Sequence, residues 1–390
     1  MNPSAHGWIK KLIREVSETI YAETELTEFY SKLKQTGFIY GSNIKVVLDI
    51  VKPFDFTEEE RCKINLLLTY YFIYKKSDTN LDFIGSLIGY YKAISDHKRS
   101  FFQDLFGDKS SDSLLEKMIH KRIHIDDNFI TKNFNYFLIN ALLFVDVLGY
   151  QRYLTDSGAI KDYVNNLEAS LETIVFTVLE KKTQKTDYDH NLIKLFESSI
   201  RHKKFQGLSY QDAIKHIDTT FEKLYVIDLV CMASWTDKVI DHAELEFLYE
   251  LKNILALSDK DITRSVDDIN TFYDAHKQKV AFLSSKNLAQ SFYDNSSKVV
   301  TKLIKRNSKR LIRELSESKE AMYLLAQSTQ RNLSDEEQKK VQSQLLDIFK
   351  SIPSLAIFML PGGMLLLPLF VKFIPKLLPS AFDDNRIDDD

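Results

Sequence analysis

The chain has 390 residues, enough for two or three domains, and its 52 basic and 55 acidic residues leave a formal charge of −3. That balance excludes a globally basic nucleic-acid binder and leaves room for a local basic patch. Gly (11) and Pro (7) are too scarce for the turns of an all-β fold; with abundant Leu, Ile, Lys, Glu and Tyr, this predicts an all-α protein of multi-helix bundle modules.

The N-terminal stretch MNPSAHGWIKKLIREVSETIYAE is interrupted by Lys10, Lys11 and Arg14, so it lacks the unbroken apolar core of a secretory signal. The bulk of the chain is therefore expected on the side where it is made, the cytoplasm in a bacterium. Residues 8–180 read as amphipathic helices joined by short polar breaks. Thr57 followed by Glu60 forms a capping box, which predicts a helix running through Ile73. The run YFLINALLFV (136–145) is too short to cross a bilayer. It reads as a core helix that Asp127 and Asn128 open and Asp146 interrupts. Cys62 and Cys231 lie inside apolar helical patterns with no Cys-x-x-Cys, which reads as structural thiols in a reduced compartment.

The polar stretch EKKTQKTDYDHN (180–191) marks a boundary between an N-terminal helical domain (1–190) and a second helical domain (192–285). In the second, Ser209 with Asp212 caps a helix, and Phe221 to Ala233 forms a strongly apolar one. The acidic turn that follows holds Asp237, Asp241 and Glu244 at a helix start. Carboxylates there accept amide hydrogen bonds and oppose the positive end of the dipole. The same oxygens suit calcium, although the EF-hand spacing fails: the sixth position from Asp237 is His242 and the twelfth Leu248, where Gly and Glu are required. No other cofactor is expected. His120 and His124 share a helix face, but HKRIH lacks the Glu of a metallohydrolase motif. With no phosphate loop, nucleophile elbow or Cys–His pairing, nothing argues for an enzyme.

Residues 290–350 form a basic amphipathic region. Lys298, Lys302, Lys305, Arg306, Lys309, Arg310 and Arg313 recur at helical spacing with no acid among them, so they make one positive face. Val299, Val300, Leu303, Ile304, Leu311 and Ile312 occupy much of the remainder. Such a helix can lie on an anionic membrane surface or track RNA phosphates. The plainer alternative is a solvated face neutralised by Glu314, Glu317 and Glu320.

From Ser351 to Val371 the chain runs 21 residues without a charge, against the ~20 a helix needs to span a bilayer. Pro361, Gly362 and Gly363 divide the run near its middle, giving one kinked spanning helix, a re-entrant pair, or a buried hairpin of two short helices. The expectation is a span, with Lys350 and Lys372 at its flanks. An acidic tail, DDNRIDDD (383–390), follows.

Two stretches resemble known families. The run DKVIDHAELEFLYELKNILALSDKDI resembles the tellurite-resistance TerB-like helical domain: Asp237, Ile240, Asp241 and Glu244 match its turn, and Lys238 stands where the pattern has Gly. That resemblance implies an all-α module, and a soluble divalent-cation sensor is one function it suggests. Residues 310–382 resemble the LETM family, the leucine-zipper, EF-hand and transmembrane proteins of the mitochondrial inner membrane. The resemblance rests on Pro353, Pro361, Pro368, Lys372, Phe373, Pro375, Leu377, Leu378, Pro379, Ser380 and Phe382, with Gly362 and Gly363 replacing bulkier residues. The whole chain is most similar to bacterial LETM-related proteins described as biofilm-associated. The resemblance implies a transmembrane segment at 351–382 and a non-enzymatic role in cation homeostasis, through cation–proton exchange in oligomers, or in membrane organisation. It equally implies a ribosome- or RNA-binding membrane adaptor using the basic helix. The expected partners are membrane lipids, further copies of the chain, and a ribosome, with no DNA. The expected location is a membrane, the bacterial inner membrane, with the N-terminal bulk cytoplasmic.

Overall fold

The computed structural model of the chain describes residues 2–16, 23–48, 55–94, 111–123, 132–182, 185, 190, 193, 208–234, 242–276, 297, 300–331, 333–352, 355 and 367–378. Among these residues every regular element is a helix. Contacts between Cα atoms divide the chain into two compact units, residues 9–125 with 133–286, and residues 287–390 with 2–8 and 126–132.

The larger unit contains α1 (Trp8–Glu15), α2 (Leu26–Thr36), α3 (Glu58–Lys75), α4 (Phe83–Ile94), α5 (Ser111–Ile123) and α6 (Lys132–Thr155). It continues with α7 (Ile160–Lys181), α8 (Tyr210–Lys215), α9 (Thr220–Ser234), α10 (His242–Leu255) and α11 (Asp259–His276). Helix α3 starts where the capping box places it: Thr57 Oγ1 accepts from the Glu60 amide at 3.2 Å, and the Glu60 carboxylate accepts from the Thr57 amide at 2.8 Å. Ser209 caps α8 by accepting from the Asp212 amide. Helix α7 packs on α8, α9 and α10, so helices on both sides of the 180–191 stretch share this unit. Cys62 and Cys231 are buried and free.

The expectation that Asp146 interrupts the apolar run is overturned. Helix α6 continues to Thr155 and buries Asp146 completely. An ionised carboxylate is tolerated in a core only when paired and hydrogen-bonded. Arg122 of α5 supplies that, donating to Asp146 at 2.5 and 2.8 Å and to Glu168 of α7 at 3.0 Å. Burial alone would lower the Arg122 guanidinium; the two carboxylates overcome that and hold it well above its ordinary value. A second buried pair links α2 to α9: Lys34 lies 3.4 Å from Asp228, which also accepts from the Tyr30 hydroxyl at 2.7 Å.

The smaller unit contains a helical segment over residues 300–306, a turn at Asn307, and α12 (Ser308–Glu317), α13 (Lys319–Gln330), α14 (Asp335–Ser351) and α15 (Leu367–Leu377). Its core joins Leu303, Leu311 and Leu315 to Leu325, Val341, Leu345, Phe349, Phe370 and Ile374. Helix α15 packs on both α13 and α14, and the rings of Phe349 and Phe370 meet at 4.7 Å.

Of the run expected to form one kinked spanning helix, 351–371, residues 353, 354 and 356–366 lie outside the described residues. Helix α14 ends at Ser351, where Ile352 turns to extended backbone. Leu367–Leu377 is a separate helix of 11 residues, about 16 Å long at 1.5 Å per residue against a hydrocarbon core of about 30 Å. Among the described residues no helix is long and apolar enough to cross a membrane. The apolar side chains at both ends of the run turn inward instead: Ile352, Leu355, Leu367 and Phe370 are each fully buried in the unit's own core.

Candidate functional site: a basic helical face

The basic face is built by residues 300–306 and α12. Asn307 is a single turn residue across which the helical hydrogen bonds continue. Its amide and its side-chain Nδ2 both donate to the Leu303 carbonyl, at 3.1 and 2.8 Å, and its own carbonyl accepts from Leu311 at 2.9 Å. The uninterrupted helix predicted over 298–313 is thus divided at this residue; the one local signal is the low helix propensity of Asn307-Ser308.

Val300, Leu303, Ile304, Leu311 and Leu315 are buried in the core of the smaller unit. At 100° per residue the cations fall on the opposite side. Lys305, Lys309, Arg310 and Arg313 are exposed, while Lys302 and Arg306 are half-buried. Lys298 lies outside the described residues. From Lys305 to Arg313 the row covers roughly 12 Å of helix rise.

Of the acids that follow, one meets the row and one is engaged elsewhere. Arg313 Nη2 lies 3.4 Å from Glu314, but Glu320 is engaged elsewhere, 3.5 Å from Lys340 and accepting from Gln344 at 2.5 Å. Among the described residues Lys305, Lys309 and Arg310 have no carboxylate partner. The face is therefore a row of cations on a packed helical scaffold. It can hold an extended array of anionic oxygens.

Most of the remaining predicted site residues lie outside the described residues. Asp237 and Asp241 lie outside the described residues, and Glu244 falls in the first turn of α10 with its side chain outside the description. Among the described residues no group of three or more His, Cys, Asp or Glu side chains could hold a metal ion. His120 faces Glu59, with Nδ1 3.4 Å from its carboxylate, and His124 lies outside the described residues. Of the membrane-segment residues, Pro353, Pro361, Gly362, Gly363 and Pro379 lie outside the described residues. Pro368 falls in the first turn of α15, Lys372 is exposed, and Pro375 is buried near the helix end.

Sequence reasoning missed the clasp that orders the scaffold just beyond the face. Arg331 donates twice to Glu337, at 2.7 Å each, and Glu337 also accepts from the Ser334 amide at 2.8 Å. The Arg331 hydrogen bonds, with that backbone amide, hold the Glu337 carboxyl down at about 2. The signal was present in LSDEEQ, where Ser334 and Glu337 form a capping box; the bidentate partner six residues back carries no local signature.

Comparison with known proteins bears on this same unit. Residues 333–390 match the sequence model of the family described as LETM1-like, RBD. No curated protein matches the chain, and no solved structure does. The match covers α14, α15 and the acidic tail. It begins C-terminal to the basic face, which packs through Leu311 and Leu315 into the same core as Val341 and Leu345 of the matched stretch. It does not extend to the TerB-like stretch over 192–285.

Proposed function

We propose that the smaller unit is a non-enzymatic LETM1-like binding module whose basic face holds the chain to the RNA phosphates of a ribosome. One observation carries this reading over a lipid surface. A helix lying in a membrane interface needs its apolar face free to enter the acyl boundary. Here Val300, Leu303, Ile304, Leu311 and Leu315 are at most 3% exposed, already used by protein packing. A phosphate track needs only the outward cations, and neutralised phosphates release counterions, which supplies the affinity. The match to a LETM1-like, RBD family and the ribosome attachment implied by the resemblance support the same partner.

The resemblance also implies a membrane role in cation exchange or membrane organisation, and the charge-free run 351–371 favours it. The two readings separate in one experiment on the full chain. Lys305→Glu, Lys309→Glu and Arg310→Glu together are expected to abolish co-sedimentation with ribosomes. Binding to RNA should fall with salt at a log–log slope of about −3.5 to −4, from ~0.7 per phosphate over five or six contacts. Flotation with anionic liposomes that survives in the triple variant, with ribosome binding unchanged, would refute the RNA reading and leave the membrane one.

A further inference from the structure

The basic face is wider than a single line of charge. Each of its two segments can be measured from its own buried side: Val300, Leu303 and Ile304 in residues 300–306, and Leu311 and Leu315 in α12. At about 100° per residue, Lys305 and Lys309 fall roughly 140–150° round from the core direction, and Arg306 and Arg310 roughly 240–250°. Lys302 and Arg313 run between these two flanks, near the outward ridge. The segments give the same pattern independently, so the face has a lysine flank and an arginine flank. We infer that this face takes double-helical RNA, with one flank on the phosphates of each strand. The inference rests on the RNA-phosphate reading above and names the class of RNA.

Two features favour a duplex over a single strand. The first is width. On a helix about 10–12 Å across, flanks some 100° apart hold their cations on the order of 10 Å from each other. One continuous backbone follows one flank and the ridge, and a second backbone is needed to meet the other flank at the same time. The second is the absence of rings. Single strands are held by aromatic side chains on which their exposed bases stack, and the stretch VTKLIKRNSKRLIRELSE (300–317) contains no aromatic residue. Tyr323 on α13 is exposed, but the cation it acts on, Arg331, is held by Glu337. A duplex stacks its bases internally and presents phosphates and 2′-hydroxyls, which a charged face without rings can hold.

The side chains suit the two flanks to different grips. Lys305 and Lys309 are exposed on one, and Arg310 is exposed on the other with Arg306 half-buried beside it. A lysine ammonium is a point charge on a flexible stem and follows a phosphate that shifts, whereas the planar arginine fork takes a phosphate through two parallel hydrogen bonds. The arginine flank therefore fixes the position of one strand, and the lysine flank accommodates the other.

The test uses the full chain and two fluorescent RNAs with nearly equal numbers of phosphates, read by anisotropy at about 0.1 M salt: a duplex of about 20 base pairs and an unstructured strand of about 40 nucleotides. The duplex should bind about tenfold more tightly, since one added phosphate contact is worth roughly that much at 0.1 M salt relative to 1 M. Its log–log salt slope should steepen to about −5, from ~0.9 per phosphate in a duplex against ~0.7 in a single strand. Lys305→Gln with Lys309→Gln should flatten the duplex slope by about 2, and Arg310→Gln alone by about 1. Each should also shrink the preference for duplex. A single strand that binds as tightly as the duplex, or a loss confined to one flank, overturns the inference. The RNA reading then stands as long as the Lys305, Lys309 and Arg310 reversals abolish binding. Binding that survives those reversals, or no binding to either RNA, overturns the RNA reading itself and this inference with it.

Discussion

Phe370→Ala tests whether α15 belongs to the protein core. The Phe370 ring is completely buried and lies 4.7 Å from the equally buried ring of Phe349 on α14. Truncation removes the ring's transfer free energy and leaves a cavity between α13, α14 and α15, and Phe→Ala in such sites costs about 3–5 kcal/mol. Ring-on-ring contact adds roughly 0.5–1.5 kcal/mol within that total. Because the chain divides into two compact units, a global melting curve does not isolate the smaller one. Amide hydrogen exchange of α12, α13 and α14 in the full chain reads the smaller unit by itself. At tenfold per 1.4 kcal/mol, exchange there should accelerate by roughly two to three and a half decades. Lys372→Ala, on the exposed side of the same helix, should stay within about 0.5 kcal/mol of wild type. If Phe370→Ala leaves the α13 and α14 amides unchanged while Leu345→Ala accelerates them, α15 is not packed there and the apolar run is serving something else.

Three further outcomes follow from the packing. Arg122→Met leaves Asp146 and Glu168 buried without their cation and should cost about 3–5 kcal/mol of the larger unit's stability in urea unfolding; replacing all three by apolar residues should recover most of it. Gly37 caps α2 at φ +82°, and an added Cβ would collide with the Ser42 carbonyl oxygen and the Phe272 ring, so Gly37→Ala should lower the melting temperature by several degrees, at about 2–4 °C per kcal/mol. The Glu337 carboxyl is held at about 2, below its ordinary 4.5, so its clasp is complete above pH 4.5 and is lost as pH falls toward 2; the stability gap between wild type and Glu337→Gln, followed by exchange at the start of α14, should close over that window, and a gap constant down to pH 2 would refute the clasp.

What the sequence made legible is what acts over three or four residues. Thr57 with Glu60, and Ser209 with Asp212, were readable because a cap is a bond to the chain's own next turn. The cationic face was readable because its period is the helix's own. Asp146 was misread for the opposite reason. Its partner Arg122 stands 24 residues before it, and no local pattern distinguishes a charge that ends an apolar run from one clasped inside it. The burial of Ile352, Leu355, Leu367 and Phe370 was not legible in the run 351–371, because hydropathy counts apolar side chains without saying which surface they meet. Nor could composition say that Val300, Leu303 and Leu311 are taken up by protein packing, which is what tilts the basic face from lipid toward phosphate.

The apolar run and the smaller unit's core are two uses of the same side chains. Of the 21 described residues buried in that core, seven follow Ser351: Ile352, Leu355, Leu367, Leu369, Phe370, Ile374 and Leu378. Fully burying a side chain of this size contributes about 1.5–3 kcal/mol, so the seven together supply on the order of 10–20 kcal/mol, as much as a whole domain's net stability. A bilayer would accept these residues equally well, since lipid tails are as apolar as Leu. It would leave Val341, Leu345 and Phe349 of α14 facing water, and with them the inner side of the helix that carries the cations. On the proposed reading, membrane insertion of this segment and a packed basic face are therefore alternatives, and conditions that drive the run into lipid should loosen α12.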